Sequence, residues 1–345
     1  MQAYAEAGVT LKRGEPVSEL VKDLQRDLRQ LGYLKGGLDG VFESETELAI
    51  HALQYDLMSN EGKSHGKDGN APVRMVDYNR GRVWQTTGVL DPLLTSCMVE
   101  MLLDGRFPKL PFSDNAAAEN AKAVAAIKAI AAPQVPLPFL FAILGQESNL
   151  RHFAVPSTND ADNFIVVGLD KKANDKRAIT SRGYGIGQYT LFHHPARPEE
   201  ISDFMLDPVR NVERAVSELL DKFNHFIVSD HPSARADDRY AEHGQIPLRT
   251  CKYAPNNPNY LRDCRACIQE AGPIQEIVTG VTSLYAGSTD RFEPTLSHPQ
   301  RTYSGVPIRA KILCDWPYAA RRYNGSGLDS YHYQVQVLRR VLNGN

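Results

Sequence analysis

Apolar residues at helical spacing, cut into short blocks by glycines and prolines, constrain this chain more than any other feature. Val17, Leu20, Val21, Leu24, Leu28 and Leu31 recur at helical spacing, with Ser18 near the start and Gly32 where a C-terminal glycine stop is expected. After the turn Lys35-Gly36-Gly37-Leu38-Asp39-Gly40, Ser44 and Glu47 have capping-box spacing ahead of Leu48, Ala49, Ala52 and Leu53. Asp91-Pro92 then supplies an N-cap and a first-turn proline for a third stripe, Leu94, Cys97, Met98, Met101 and Leu102. Helices this short bury an apolar face only against one another, so a three-helix unit is predicted. Phe107-Pro108-Lys109-Leu110-Pro111 ends it, because two prolines in five residues disfavour helix. A chain of 345 residues exceeds one hydrophobic core. The expectation is a mainly α protein with one domain at 1–110, carrying a polar, glycine-rich insertion at 59–85, and a second at 111–345.

Composition removes several classes of function. A hydrophobic content of 42% with 23% charged residues describes a folded globular chain, and a formal net charge of -2 lacks the basic excess of a nucleic-acid binder. The most apolar run, Val135 to Leu144, is interrupted by Pro136 and Pro138 and is too short to insert in a membrane. No apolar stretch of signal-peptide length opens the chain, so synthesis in the cytoplasm without a Sec signal is expected. Cys264-x-x-Cys267 has the spacing of a metal or redox pair. A zinc ribbon needs a second close pair, however, and Cys251 and Cys314 stand alone in the sequence. Structural thiols or a bridge are the expectation, with no metal and no cofactor. His193-His194 precedes Pro195 in an expected loop and receives no role.

The second domain holds the chemistry. An Ala-rich helix is predicted over 115–131, and Pro138 to Leu144 begins another that is apolar almost all round, hence a core helix. It ends in Gln146-Glu147-Ser148. A carboxyl at the C-terminal end of a buried helix is disfavoured as an anion by desolvation and by the helix dipole, so its pKa should rise. A protonated carboxyl near neutrality is what glycosidic cleavage requires, since the leaving oxygen must gain a proton. Tyr184-Gly185-Ile186-Gly187-Gln188-Tyr189 offers glycines for close backbone approach and an amide that can pair with an acetamido sugar. Arg322-Tyr323-Asn324-Gly325 closes a helix that Gly325 and Gly327 would stop, and from there Tyr323 could reach Glu147. A weakly periodic stretch at about 226–272, with three of the five cysteines, reads as an insertion.

Leu24-Gln25, Leu31-Gly32-Tyr33, Leu38-Asp39-Gly40-Val41-Phe42 and Thr87-Gly88-Val89-Leu90-Asp91 resemble the small peptidoglycan-binding domain found beside many cell-wall hydrolases, over residues 17 to 107. The ordered set Glu147-Ser148, Gly185-x-x-Gln188 and Tyr323-Asn324 resembles the motifs of soluble lytic transglycosylases and goose-type lysozymes, over residues 118 to 345. That resemblance implies a lysozyme-like α domain acting on peptidoglycan glycan strands. Glu147 would be the general acid and base and Tyr323 its orienting partner. Ser148, Tyr184, Gly185, Gln188, Tyr189 and Asn324 would bind substrate. Two departures stand out: Gly187 replaces the family's methionine, and the 188 − 147 = 41 positions from glutamate to glutamine exceed the usual spacing. Asp160, Asp162, Asp170 and Asp175 occupy that gap as candidates for a second carboxylate. The leading expectation is a lytic transglycosylase, against a hydrolytic muramidase or chitinase-like glycosidase, and against a non-catalytic wall-binding protein. The expected setting is the periplasm or cell wall, reached by a monomer after lysis, as a phage endolysin, or by injection. An injected antibacterial effector would have an immunity protein as partner.

Overall fold

The three N-terminal stripes become helices where the pattern places them: α1 (Glu19–Gln30), α2 (Ser44–Ser59) and α3 (Pro92–Leu103). Further elements are α4 (Ala116–Lys128), α5 (Leu137–Ser148), strands β1 (Val167–Lys172), β2 (Asp175–Tyr184) and β3 (Tyr189–Leu191), then α6 (Pro208–Phe223), α7 (Cys264–Ala271), α8 (Trp316–Tyr323) and α9 (Leu328–Asn343). The protein is mainly helical, and among the described residues it has one small antiparallel sheet, ordered β1-β2-β3. This computed structural model describes residues 3–6, 8–130, 134–155, 163–228, 251–271, 314–325 and 328–344. The chain divides into two compact units, residues 1–123 with 151–211, and residues 124–150 with 212–345.

In the first unit the glycine stop of α1 and the N-cap of α3 follow the sequence, and Ser18 caps the start of α1. Ser18 accepts from the Val21 N–H at 3.3 Å, Asp91 accepts from the Leu94 N–H at 2.8 Å, and Gly32 ends α1 with φ +85. Two details differ. Glu43 is the N-cap of α2, without a side-chain bond, so Ser44 is the first helical residue and not half of a capping box. Val17 lies outside α1, 70% exposed. The helix entries are secured instead by two buried glutamines. Gln25 donates to Asp39 Oδ1, the Val41 carbonyl and Thr46 Oγ1, and accepts from the Gly40 N–H at 2.9 Å. Gln54 repeats the device, donating to Thr87 Oγ1 and the Val89 carbonyl while accepting from the N–H groups of Thr87 and Gly88. Each glutamine spends its donors and its acceptor on one turn, which is why the Leu-Asp-Gly and Thr-Gly-Val turns sit where they do.

The sheet belongs to this same unit. Ile179 of β2 joins the core formed by Leu24, Leu28, Leu53, Leu57 and Met98. Arg182, also of β2 and 3% exposed, donates to the Gly32 carbonyl at 3.0 Å and to Asp56 Oδ2 at 3.2 Å, where the Tyr33 hydroxyl also donates, at 2.8 Å. A buried guanidinium is tolerated because each neighbour supplies an acceptor. The stretch at 59–85 buries Met75 and Tyr78, and its His65 N–H donates to the Phe192 carbonyl at 2.9 Å.

In the second unit α5 is enclosed by apolar packing, with Leu140, Ala142, Ile143 and Leu144 fully buried. Helices α8 and α9 pack on it, contributing Ala319, Ala320, Val335 and Leu338 to the buried interior. Phe223 stacks on Trp316 at 4.2 Å between ring centres. Gly145 lets α9 close in: a Cβ there would meet the Arg340 guanidinium at 3.1 Å, and Arg340 Nε donates to Gln146 Oε1 at 3.1 Å. Within the expected insertion at 226–272, residues 229–250 and 272 lie outside the described residues, as do Asp160, Asp162 and Gly327.

Candidate active site

Glu147 lies one residue from the end of α5, whose C-cap, Asn149, takes the left-handed conformation with φ +54. The helix terminates there, and its last carbonyls face the same end as the carboxyl. Glu147 is partly buried. The Tyr333 hydroxyl of α9 donates to Glu147 Oε1 at 2.6 Å. Burial first, and then the Glu147 charge, push the phenols of both Tyr333 and Tyr323 well above the ordinary tyrosine range. Both therefore stay protonated near neutrality, and the glutamate stands within electrostatic reach of two phenolic hydroxyls. The expected pairing of Glu147 with Tyr323 is thus joined by a residue that sequence reading missed. Tyr333 sits in no motif; its only signal is the helical spacing of Tyr333, Val337 and Val341, the buried stripe of α9. Ser148 turns inward, its hydroxyl donating to the Leu144 carbonyl at 3.0 Å, while Asn324, the C-cap of α8, is exposed.

Four other expected residues, Tyr184, Gly185, Gln188 and Tyr189, form a hairpin in the first unit. β2 ends at Tyr184, the turn runs from Gly185 to Gln188, and Tyr184 pairs with Tyr189 across it. Gly185 has φ +71, and a Cβ on it would strike the side chains of His152 and Asn211. Those two residues hold the turn. Asn211 accepts from the Gly187 N–H at 2.7 Å and donates to the carbonyls of Tyr184 and Phe204, each at 3.0 Å. The His152 Nε2–H donates to the Met205 carbonyl at 2.7 Å, so Nδ1 is left to accept from the Ile186 N–H at 3.3 Å. Burial pushes the His152 pKa down to about 4, which preserves this neutral tautomer. Gln188 directs its amide nitrogen at the Gly185 carbonyl at 2.7 Å and at the Val166 carbonyl at 3.4 Å. Its Oε1 fills the space that a Cβ at Gly168 or Gly183 would need. Gln188 thus braces its own turn. The buried Tyr184 phenol is pushed up to about 12, and Tyr189 packs edge-on to Phe204 at 4.2 Å.

The candidate second carboxylates that are described are committed elsewhere. Asp170 accepts from the Ser181 hydroxyl at 2.7 Å, and Asp175 is paired with Arg177 at 2.8 Å, which lowers its pKa. His193, buried, bridges Asp68 Oδ2 at 3.0 Å and Glu200 Oε2 at 2.9 Å and so ties the 59–85 stretch to the segment after β3. A cavity of about 520 Å³ opens beside α5, lined by Leu137, Phe141, Leu150, Arg262 and Arg340 but not by Glu147. Among the described residues no group of three or more His, Cys, Asp or Glu side chains is arranged to hold a metal ion, and no helix is long and apolar enough to cross a membrane.

Compared with known families, residues 17–57 match the model of a putative peptidoglycan binding domain. That match supports a peptidoglycan-binding domain that includes α1 and α2, and with it an interaction with peptidoglycan. No curated protein and no solved structure matches the chain.

Proposed function

We propose that the protein cleaves the β-1,4 glycosidic bond between N-acetylmuramic acid and N-acetylglucosamine in peptidoglycan, as a lytic transglycosylase with Glu147 as its acid and base. The observation that carries this reading is the Tyr333 hydroxyl bonded to Glu147 Oε1 at the C-terminal end of a buried helix, in a chain that also has a wall-binding domain. A phenol donating to Oε1 places the transferable proton on Oε2 and fixes the plane of the carboxyl. The glycosidic oxygen receives that proton as the bond to the anomeric carbon breaks. The Glu147 carboxylate then takes the proton of the muramic acid C6 hydroxyl, whose oxygen bonds to the anomeric carbon and closes a 1,6-anhydro ring. No second carboxylate is needed, consistent with the commitment of Asp170 and Asp175. Of the expected sugar-binding residues, Asn324 and Tyr189 keep accessible surface, whereas Gly185 and Gln188 act by shaping their hairpin. The domain at 1–110 holds the wall while 111–345 supplies the chemistry. The setting is the wall compartment, entered after lysis or by injection.

Mass spectrometry of sacculi digested with the full chain tests the reaction. Anhydromuramic ends, one water lighter than hydrolysed ends, are expected, and Glu147→Gln should release none while still sedimenting with sacculi. Reducible muramic ends would instead assign a hydrolytic muramidase. Undiminished cleavage by folded Glu147→Gln would remove this glutamate from the mechanism.

A further inference from the structure

A polar cavity of about 260 Å³ opens in the first unit, where the C-terminal end of α2 meets the 59–85 stretch and the sheet. Tyr55 and Asp56 of α2, Lys63 of the stretch, Lys172 at the end of β1, and Phe192 and His194 beyond β3 all line it. Its acids are already committed. Asp56 is held by the Tyr33 hydroxyl and the Arg182 guanidinium, and Glu61 pairs with Arg74 at 2.6 Å. Its exposed lysines are not. Among the described residues neither Lys63 nor Lys172 forms an ion pair, and the acids flanking Lys172 are engaged elsewhere, Asp170 with Ser181 and Asp175 with Arg177. The cavity therefore carries a surplus of positive charge at its mouth. His194 points to a ligand independently. It is 4% exposed, and neither ring nitrogen has a hydrogen-bond partner. Edge-on packing against Tyr33 and Phe107, at 5.0 Å and 6.4 Å between ring centres, accounts for the ring but leaves its nitrogens unmet. Burial holds the imidazole neutral, so one nitrogen carries a hydrogen. A buried donor without an acceptor is costly, and in the wall of an open cavity it suits an acceptor that arrives with a ligand.

Two lysines and a neutral donor around a small cavity select an anion. The volume lies below the about 300 to 1,000 Å³ of pockets that enclose a whole drug-sized ligand, so the end of a chain suits it better than a length of glycan. Phe192, 41% exposed, adds an apolar surface on which a small side chain can rest. In peptidoglycan the charge of this kind lies on the stem peptides, whose carboxylates stand apart from the sugars, and a full stem ends in two alanines. We propose that this cavity binds the terminal carboxylate of a peptidoglycan stem peptide, with Lys63 and Lys172 supplying charge, His194 a hydrogen bond and Phe192 a contact for the alanine methyl groups. A phosphate would meet the same cations but would leave Phe192 without a partner. The proposal rests on the peptidoglycan-binding reading of residues 17–57 and extends it, because Lys63, Lys172, Phe192 and His194 all lie outside the matched segment while Tyr55 and Asp56 lie within it. The site thus belongs to what this chain adds to the wall-binding helices, its insertion and its sheet.

The test needs no catalytic assay. A stem pentapeptide ending in two D-alanines, labelled with a fluorophore at its N-terminus and free at its C-terminal carboxylate, is titrated with the full chain at low salt and followed by anisotropy. Saturable one-to-one binding is expected. The C-terminal amide of the same peptide should bind about tenfold more weakly, because the charge-assisted bonds are lost. A double variant, Lys63→Ala with Lys172→Ala, should weaken binding of the free acid by about the same factor with an unchanged melting curve, since both side chains are exposed. Equal binding of acid and amide overturns the carboxylate assignment, and undiminished binding by the double variant overturns the location. Glycerol phosphate that displaces the probe at lower concentration than unlabelled peptide does would give the cavity to a phosphate and overturn the proposal as well. Sedimentation with intact sacculi keeps this apart from the wall-binding reading. A chain that sediments with sacculi yet ignores the peptide loses the pocket assignment alone, whereas one that does neither loses both.

Discussion

The hairpin turn at Gly185–Gln188 and the end of α5 at Glu147–Ser148 entered the functional reading together, as members of one ordered motif series, yet they are built on opposite plans. At the hairpin, polar atoms look inward. Gln188, His152 and Asn211 spend their hydrogen bonds on backbone groups, and burial holds His152 neutral. At the end of α5 a partly buried carboxyl meets a phenol that belongs to a different helix. A side chain whose donors are consumed by its own backbone shapes a surface, whereas a carboxyl at a helix terminus, with one oxygen addressed by a neighbour, can exchange a proton. The same kind of sequence signal therefore marked a scaffold in one place and a candidate reactive group in the other.

Four measurements can break or sharpen this contrast, ordered by expected size. Glu147→Gln keeps the shape and loses the proton, so the cleavage rate should fall by about 100-fold or more, with an unchanged melting curve. Turnover of sacculi within threefold of wild type would erase the distinction.

Next comes acid. His152, with an ordinary value of 6.5, titrates at about 4 in the folded protein, and His194 is shifted in the same direction by burial, Arg182 and His193. Folded, these rings bind protons more weakly than unfolded, so their contribution to stability is full above about pH 6.5 and declines as pH falls towards 4. For His152 alone the loss approaches 3 kcal/mol, an upper figure of about 1.4 kcal/mol per pKa unit. Urea melts at pH 7 and pH 4.5 measure it, and His152→Gln should flatten the dependence.

Gly185→Ala should follow, destabilising by about 2 kcal/mol, since a Cβ at positive φ also strikes two buried side chains. A neutral result in thermal denaturation would mean that His152 and Asn211 do not hold this turn. Smallest is Tyr333→Phe. Removing a donor to the carboxylate should lower the rate about tenfold and raise the apparent pKa of the glutamate, moving the alkaline limb of the pH–rate profile upward. A lower rate with an unmoved profile would make Tyr333 a packing residue only.

Much of the helical architecture was legible because it rests on local signals. Ser18, Gly32, Asp91 and Pro92 act on residues within one turn, and the stripe of α1 points at its own core. What escaped was carried by distant partners. Nothing near Gln25 or Gln54 announces that each braces a turn 14 to 35 positions away. His193 looked like an idle loop residue, although its partners Asp68 and Glu200 lie 125 and 7 positions off. In the candidate site Glu147 could be found from a helix end and a motif, whereas Tyr333 is separated from it by 186 positions and offers only a buried stripe.

Arg182 carries a consequence for the order in which the protein takes shape. Its two buried partners, the Gly32 carbonyl and Asp56, precede it by 150 and 126 positions. On a ribosome, the wall-binding helices emerge long before β2, and Asp56 must wait for its cation while the residues of α5 are made in between. The entropic cost of closing loops of this length slows formation of such contacts. The N-terminal helices are thus an unfinished body until translation has passed β3, and a nascent chain halted before β2 would display Asp56 and the core around Leu53 without Arg182 and Ile179, surfaces that a chaperone could recognise.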